Sequence, residues 1–407
     1  MLSRQLSRRG VLLPLLLCAS ASRALSVSDI SSSSSIKPFS IDTLTTPAVI
    51  IDKDTIEANV KRMLARSSSY NCILRPHVKT HKTIPGALLQ TSNRRSTITV
   101  STLREAEFFL EAGFTDILYA VPIDPSKIIR AAKMARHVHV TVDNIQQVAA
   151  LINHGAPAPG ERWSVVVMVD SGYGRDGVVP SDVEALELAR AIDAAECMEL
   201  FMLYTHAGHS YDVPYGDVEA IVKISEQERD AVVEFKKILK ENNVDVENVK
   251  TGVGSTPTCS HPPQHLSGVD EMHPGNYFTY DYNQHLIGSC DVEDIACKVL
   301  TRVVGHYPKT NKLQIDCGWT GTSAQGKEHN YGCIEGHSEL IIENLKQEAG
   351  TVTTGDGSAI DFERFPVGTI LKILPWHSCA SIHQHRKLHV VDGNDMVVDS
   401  WDCADGW

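Results

Sequence analysis

From about residue 47 to 285, short apolar, β-branched runs alternate with stretches whose apolar residues recur at helical spacing. Strands are predicted at 72–77, 97–101, 116–121, 138–142, 164–169, 198–205, 249–253 and 269–273. Helical patterns at 104–112, 125–135, 145–153, 182–194 and 218–241 separate most of them, and another at 56–64 precedes the first. Asn144 and Ser181 stand where helix N-caps are expected. Eight strands alternating with helices predict an α/β fold built on a parallel (β/α)8 barrel. Beyond residue 286 the helical period fades. Short alternating strands at 296–304, 312–316, 339–342, 368–373 and 387–391, punctuated by Gly and Pro, predict a C-terminal β domain over 286–407.

The first residues follow neither pattern. Arg4, Arg8 and Arg9 precede an apolar run from Val11 to Cys18, small residues follow to Ala24, and no acidic residue occurs before Asp29. This predicts a targeting segment over 1–28, with an apolar run too short to span a bilayer. Ser7-Arg8-Arg9-Gly10-Val11-Leu12 fits a twin-arginine export signal, and the Arg- and Ser-rich, acid-poor composition fits an organellar transit peptide equally. Residues 29–46, with the serine run 31–35, are expected to be a linker and a leading strand into the fold. The net charge of −12, with no basic block after the N-terminus, argues against a nucleic-acid or anionic-membrane surface for the mature chain. Ten cysteines are scattered through 407 residues rather than spaced as a framework, and most are expected to be free, buried thiols.

In a (β/α)8 barrel the reactive groups gather at the C-terminal ends of the strands. The first strand ends in Arg75-Pro76-His77-Val78-Lys79-Thr80-His81-Lys82. An isolated lysine would read as a solvated charge. Lys79 closes an apolar strand between His77 and His81, where burial can lower its pKa as a Schiff-base amine requires. After the seventh strand, Gly252-Val253-Gly254-Ser255-Thr256-Pro257-Thr258 offers backbone N–H groups and hydroxyls suited to a phosphate. Gly172-x-Gly174-x-x-Gly177 matches a dinucleotide fingerprint. It follows the fifth strand, however, and Val178-Val179-Pro180 separates it from any helix, so that reading is rejected. Near the C-terminus, His377 and Cys379 lie two apart in what reads as an extended segment, so both side chains can face one metal. Zinc suits this N/S pair. Spacing alone equally fits a buried cysteine among surface histidines, with His383 and His385 close behind.

Together these residues carry a likeness. The segment 75–82 resembles the lysine motif of fold-type III pyridoxal-phosphate (PLP) enzymes, specifically the D-serine dehydratase and D-threonine aldolase group. Gly254-Ser255-Thr256-Pro257-Thr258 resembles that group's phosphate loop, and Tyr204-Thr205-His206-Ala207-Gly208-His209-Ser210-Tyr211 is similar too. The likeness runs from about residue 40 to the terminal Gly406-Trp407. It implies an alanine-racemase-like PLP-binding barrel over 47–285 followed by a β domain, usually as a homodimer, with Lys79 holding PLP. Gly254, Ser255 and Thr256 are the implied phosphate contacts, and Arg175, Tyr204 and Tyr211 are candidates against the cofactor ring, with Tyr173 and His206 behind them. His377-x-Cys379 is similar to the zinc pair of eukaryotic-type D-serine dehydratases, where the aldolases resemble His-x-Asp. Trp376 departs from the smaller or polar residue expected before that histidine.

The implied reaction is a lyase reaction on a D-amino acid: Lys79 takes the Cα proton, PLP is the electron sink, and zinc helps the β-hydroxyl depart. D-Serine would give pyruvate and ammonia. Retro-aldol cleavage of D-threonine, dehydration of 3-hydroxyaspartate, racemisation, and a non-catalytic PLP-binding protein remain the alternatives. The non-catalytic proteins resemble the barrel alone, so the β domain with its metal pair argues against the last of these.

Overall fold

The computed structural model describes residues 36–407, so the predicted targeting segment and the serine run lie outside the described residues. Eight parallel strands form one sheet: Ile73–Leu74, Ile98–Val100, Ile117–Pro122, Val138–Val142, Trp163–Val169, Met198–Thr205, Lys250–Val253 and Glu271–Met272. The sheet curls until its ends meet. The eighth strand pairs with the first, Glu271 opposite Ile73, and the seam between first and second is completed by a bridge from His77 to Thr99. Strands covered on both faces read as continuous apolar runs, and every residue of Trp163–Val169 is buried.

The helices stand where the spacing predicts them, with caps that explain their starts. Ile145–His154 begins at Asn144, which forms a full capping box with Gln147. Val218–Glu241 is capped by Asp217, whose side chain accepts from the Ala220 N–H. The expected cap at Ser181 is displaced: Asp182 occupies the N-cap of Val183–Asp193, without a side-chain cap bond. The pattern at 125–135 resolves into a 3-10 turn, Pro125–Lys127, and a short helix, Ile128–Ala132, because Pro125 only starts the first turn. The helix Ile84–Gln90 has no counterpart in the predicted elements; it is short, with Pro85 at its start.

A second, ten-stranded sheet forms the β domain around the long strand Cys297–Tyr307, which pairs antiparallel with Ile370–Pro375 and Lys312–Ile315. Ala48–Asp52, which precedes the barrel in sequence, also pairs with that strand and with Lys387–Val391. The leading strand Phe39–Ser40 pairs with Met396–Asp402. Both ends of the described chain therefore close this sheet, although the sequence reading grouped 48–52 with the barrel. Its four buried apolar residues satisfy a sheet core as well as a barrel wall. No described helix is long and apolar enough to cross a membrane. The nine described cysteines are all free.

Candidate active site

The first strand ends at Leu74, and the Arg75 N–H still donates to Met272 O on the eighth strand. Arg75 is fully buried, paired with Glu271 and, at 2.7 Å, with Asp116. The backbone continues along the seam, His77 N–H donating to Pro274 O, and then tightens into the 3-10 turn Val78–Thr80. His77 Nδ1 accepts from the Lys79 N–H at 3.4 Å, which fixes the turn that carries Lys79. A side chain at Gly275 would put its Cβ 2.7 Å from His77 O, so glycine is needed for the strand-eight loop to approach the lysine turn. Lys79 is half-buried at a cavity of about 510 Å³. Burial lowers its pKa, and the neighbouring Arg175 guanidinium adds to that against the opposing pull of Cys379. Burial and the Lys79 charge also hold His77 well below the usual histidine range, and they bring His206 down to about 3, so both imidazoles are neutral.

The turn after strand seven forms the opposite wall. Ser255 caps the one-turn helix Thr256–Ser260, accepting from the Thr258 N–H. Gly254 is dictated by contact: a Cβ there would lie 2.7 Å from that of His273. His206 Nδ1 is bonded to Gly254 O, and Tyr211 OH accepts from the Thr256 N–H at 3.4 Å.

The third wall belongs to the β domain. His377 is the N-cap of the short helix Ser378–Ile382, so the expected extended segment is replaced by a helical turn, which still leaves His377 and Cys379 on the same cavity. His377 Nδ1 donates to Asp281 at 2.9 Å, and Ser378 N–H and Asn276 Nδ2 donate to the same carboxylate oxygen. Cys379 Sγ lies 3.2 Å from Thr80 Oγ1 and 3.5 Å from Asn276 Nδ2. Burial pushes this thiol up, but His377, Lys79 and Thr80 outweigh it and bring it down to about 7. Burial works against protonation of His377, but Cys379 and Asp281 together raise it.

The cavity thus collects Lys79, Arg175, Tyr211, Ser255, Thr256, His377 and Cys379 from the predicted set. Tyr173 and His206 line it too. Tyr173 packs on Gly208, where a Cβ would lie 2.2 Å from its ring, and carries the Arg175 guanidinium 5.2 Å from the ring centre. Gly254 does not line the cavity, and neither does Tyr204. The tyrosine is buried inside the barrel and stacks on His273 with ring centres 4.6 Å apart, because a strand residue pointing along the barrel interior lies below the rim. His383 and His385 line a separate cavity of about 430 Å³, shared with Lys79 and the C-terminal tail, and His385 is bonded to Gly321 O. Trp376 lines the active cavity, with its ring held between Gly326 and His329, stacked on the latter at 4.4 Å.

The pattern-based reading did not assign roles to His273, Asn276 or Asp281. The rim sequence His273-Pro274-Gly275-Asn276 was visible as polar residues ending a strand, but Asp281 is the N-cap of the short helix Tyr282–Leu286, a local role that gives no sign of its bond to His377.

The chain matches the family described as alanine racemase, N-terminal domain, over residues 51–282, and a putative serine dehydratase domain over 296–391. It is 33% identical to the D-serine dehydratase of Dictyostelium discoideum, covering 90% of this chain and 98% of that one. It is 35% identical to the D-threo-3-hydroxyaspartate dehydratase of Delftia sp. (strain HT23), with the same coverage of 90% and 98%. A solved structure of a cysteine-to-alanine variant of D-threo-3-hydroxyaspartate dehydratase, in the metal-free form, has a TM-score of 0.84 at 33% identity and covers 91% of this chain and 100% of that chain. The two matches cover the barrel and the β domain in turn, and the chain belongs to the alanine racemase-like family, in the group of PLP-dependent lyases that carry the serine dehydratase domain.

Proposed function

We propose that the protein is a D-serine dehydratase that holds PLP on Lys79 and a zinc ion on His377 and Cys379, converting D-serine to pyruvate and ammonia. The observation that carries this reading is the sharing of one cavity by Lys79 and the His377–Cys379 pair. A base for Cα and a metal site for the β-hydroxyl must both reach one small substrate.

The residues fit both groups. Lys79 has a lowered pKa, and Ser255 and Thr256 line the facing wall, with Gly254 beside them in the turn. Arg175 and Tyr211 flank that space, and Tyr204 acts from beneath by seating His273. The imidazole of His377, anchored through Nδ1, keeps Nε2 for a metal, and Cys379 gives up its proton readily. Two protein ligands would leave coordination positions open for substrate. PLP, when bound, supplies an electron sink for the electrons left at Cα. Zinc supplies a Lewis acid at the leaving oxygen. Lys79, its pKa lowered by burial, would accept the Cα proton, while the neutral His77 beside it keeps the turn fixed without adding a competing cation. The substrate is a small D-amino acid. The homodimer implied by the family likeness belongs to the same proposal.

Product analysis tests the reading. Purified protein with PLP and zinc is offered D-serine, D-threonine and D-threo-3-hydroxyaspartate in parallel. Pyruvate from D-serine as the fastest product supports it; glycine and acetaldehyde from D-threonine, or oxaloacetate as the dominant product, overturns it.

A further inference from the structure

Four carboxylate side chains are buried among the described residues: Glu105, Glu228, Glu271 and Asp281. Three of them face a cation or an imidazole, namely Lys82, Arg75 and His377 respectively. Glu228 has no such partner. It sits on the inner face of Val218–Glu241, fully buried, and grips two loops of the candidate site at once. Oε1 accepts from the Ala207 N–H at 2.8 Å, and Oε2 lies 2.5 Å from Thr258 Oγ1. From Thr258 a hydroxyl chain continues: Thr258 Oγ1 to Ser255 Oγ at 2.8 Å, and Ser255 Oγ to Ser210 Oγ at 2.8 Å. Ser255 lines the active cavity, so the buried carboxylate is two hydrogen bonds from the wall expected to meet a phosphate.

The direction of donation along this chain depends on the proton at Glu228. An ionised carboxylate only accepts, so it draws the Thr258 O–H, and Thr258 Oγ1 in turn draws the Ser255 O–H away from the cavity. A protonated Glu228 donates to Thr258 Oγ1. Thr258 then donates to Ser255 Oγ, and the Ser255 O–H is released from Thr258, free to turn to Ser210 Oγ, whose own O–H goes to Ala207 O, or to an anion brought into the cavity.

We propose that Glu228 is a positioning residue for the cofactor phosphate, which binds with uptake of a proton at Glu228 that turns the Thr258–Ser255 hydroxyl chain outward. This rests on the reading that the phosphate of PLP lies against Ser255 and Thr256. Burial raises the Glu228 carboxyl, with the bonds from Thr258 and from the Ala207 and Gly254 backbones opposing, and leaves it at about 7. The other titratable groups facing it are Tyr204 from the sixth strand and Cys259 beyond the turn; burial raises both, so they stay protonated around neutrality. A dianionic phosphate added on the far side of this chain favours the neutral acid further.

The test is calorimetric titration of the PLP-depleted protein with PLP, in two buffers of different ionisation heat, at pH values from 6 to 8.5. The wild type is expected to take up a fraction of a proton that grows towards one above pH 7, with affinity falling up to about tenfold per pH unit at full linkage. Glu228→Gln mimics the protonated acid and is expected to bind PLP with that uptake removed and the fall flattened. Thr258→Val, which cuts the chain without touching Glu228, is expected to lose the same linkage, and Thr258→Ser to keep it. Equal proton uptake in wild type, Glu228→Gln and Thr258→Val overturns the inference while leaving PLP on Lys79 intact. Failure of the wild type to bind PLP overturns the underlying reading together with it.

Discussion

His377 Nδ1 lies 2.9 Å from the carboxylate of Asp281, a residue of the barrel domain with no exposed surface that is held in turn by Asn276, Ser378 and the Gln284 N–H. The bond fixes the ring's tautomer and leaves Nε2 as the free nitrogen. It also makes the proposed metal site a joint product of the two domains. Asp281→Asn should therefore weaken zinc binding by about 10–100-fold while the protein still folds and binds PLP. Metal content after dialysis against graded chelator measures this; unchanged zinc retention would mean that Asp281 serves only packing.

Lys79 is expected to be the one lysine that carries the cofactor. Borohydride reduction followed by mass mapping should find the pyridoxyl group there in wild type and nowhere in Lys79→Ala. Loss of proton transfer alone is expected to cost about 10²–10⁴-fold in turnover. A pyridoxyl group on another lysine, or retained turnover, contradicts the assignment.

The buried Arg75 links the lysine strand to Glu271 and Asp116 at the barrel's closing seam. Glu271→Ala leaves that guanidinium partly uncompensated and should cost about 3–5 kcal/mol, read from urea unfolding. The pH dependence follows from the same contacts. Burial opposes ionisation of Glu271 and Asp116, but the neighbouring His273 and His139 imidazoles and the Arg75 charge hold both below the ordinary carboxylate range. Acids depressed in the folded state stabilise it at neutral pH, and that contribution is lost as pH falls through and below the unfolded carboxylate range. Urea midpoints that do not drop on acidification, or that drop equally in Glu271→Ala, contradict this account.

Trp376 walls the cavity beside the proposed metal pair and stacks on His329, itself bonded to Tyr215 OH at 2.7 Å. An apolar wall suits a small β-substituent better than a β-carboxylate. Trp376→Ala should shift the ratio of kcat/KM from D-serine towards D-threo-3-hydroxyaspartate by about tenfold or more. An unchanged ratio removes Trp376 from specificity.

What the sequence made legible was whatever depends on local pattern. The barrel strands alternate with helices whose caps are local, as at Asn144 and Gln147, and Lys79, Ser255 and Thr256 lie on short segments ending strands. What it hid depends on long-range approach. Asp281 meets His377 across 96 positions, and Glu228 meets Thr258 across 30, with neither marked by a neighbouring residue. Tyr204 shows the opposite error: adjacency to the rim in sequence suggested a cofactor contact, but the alternation of a strand turned its side chain onto His273 below. The pairing of Ala48–Asp52 into the second sheet was equally hidden, because a buried apolar strand reads the same whichever sheet it joins.

The most direct test is pyruvate release from D-serine by the purified, PLP-loaded protein, measured before chelation, after chelation, and after zinc is restored. The account predicts steady pyruvate formation that chelation abolishes and zinc returns. No pyruvate from a protein carrying both PLP on Lys79 and zinc would contradict D-serine dehydration, and full activity in the chelated protein would contradict the role given to His377 and Cys379.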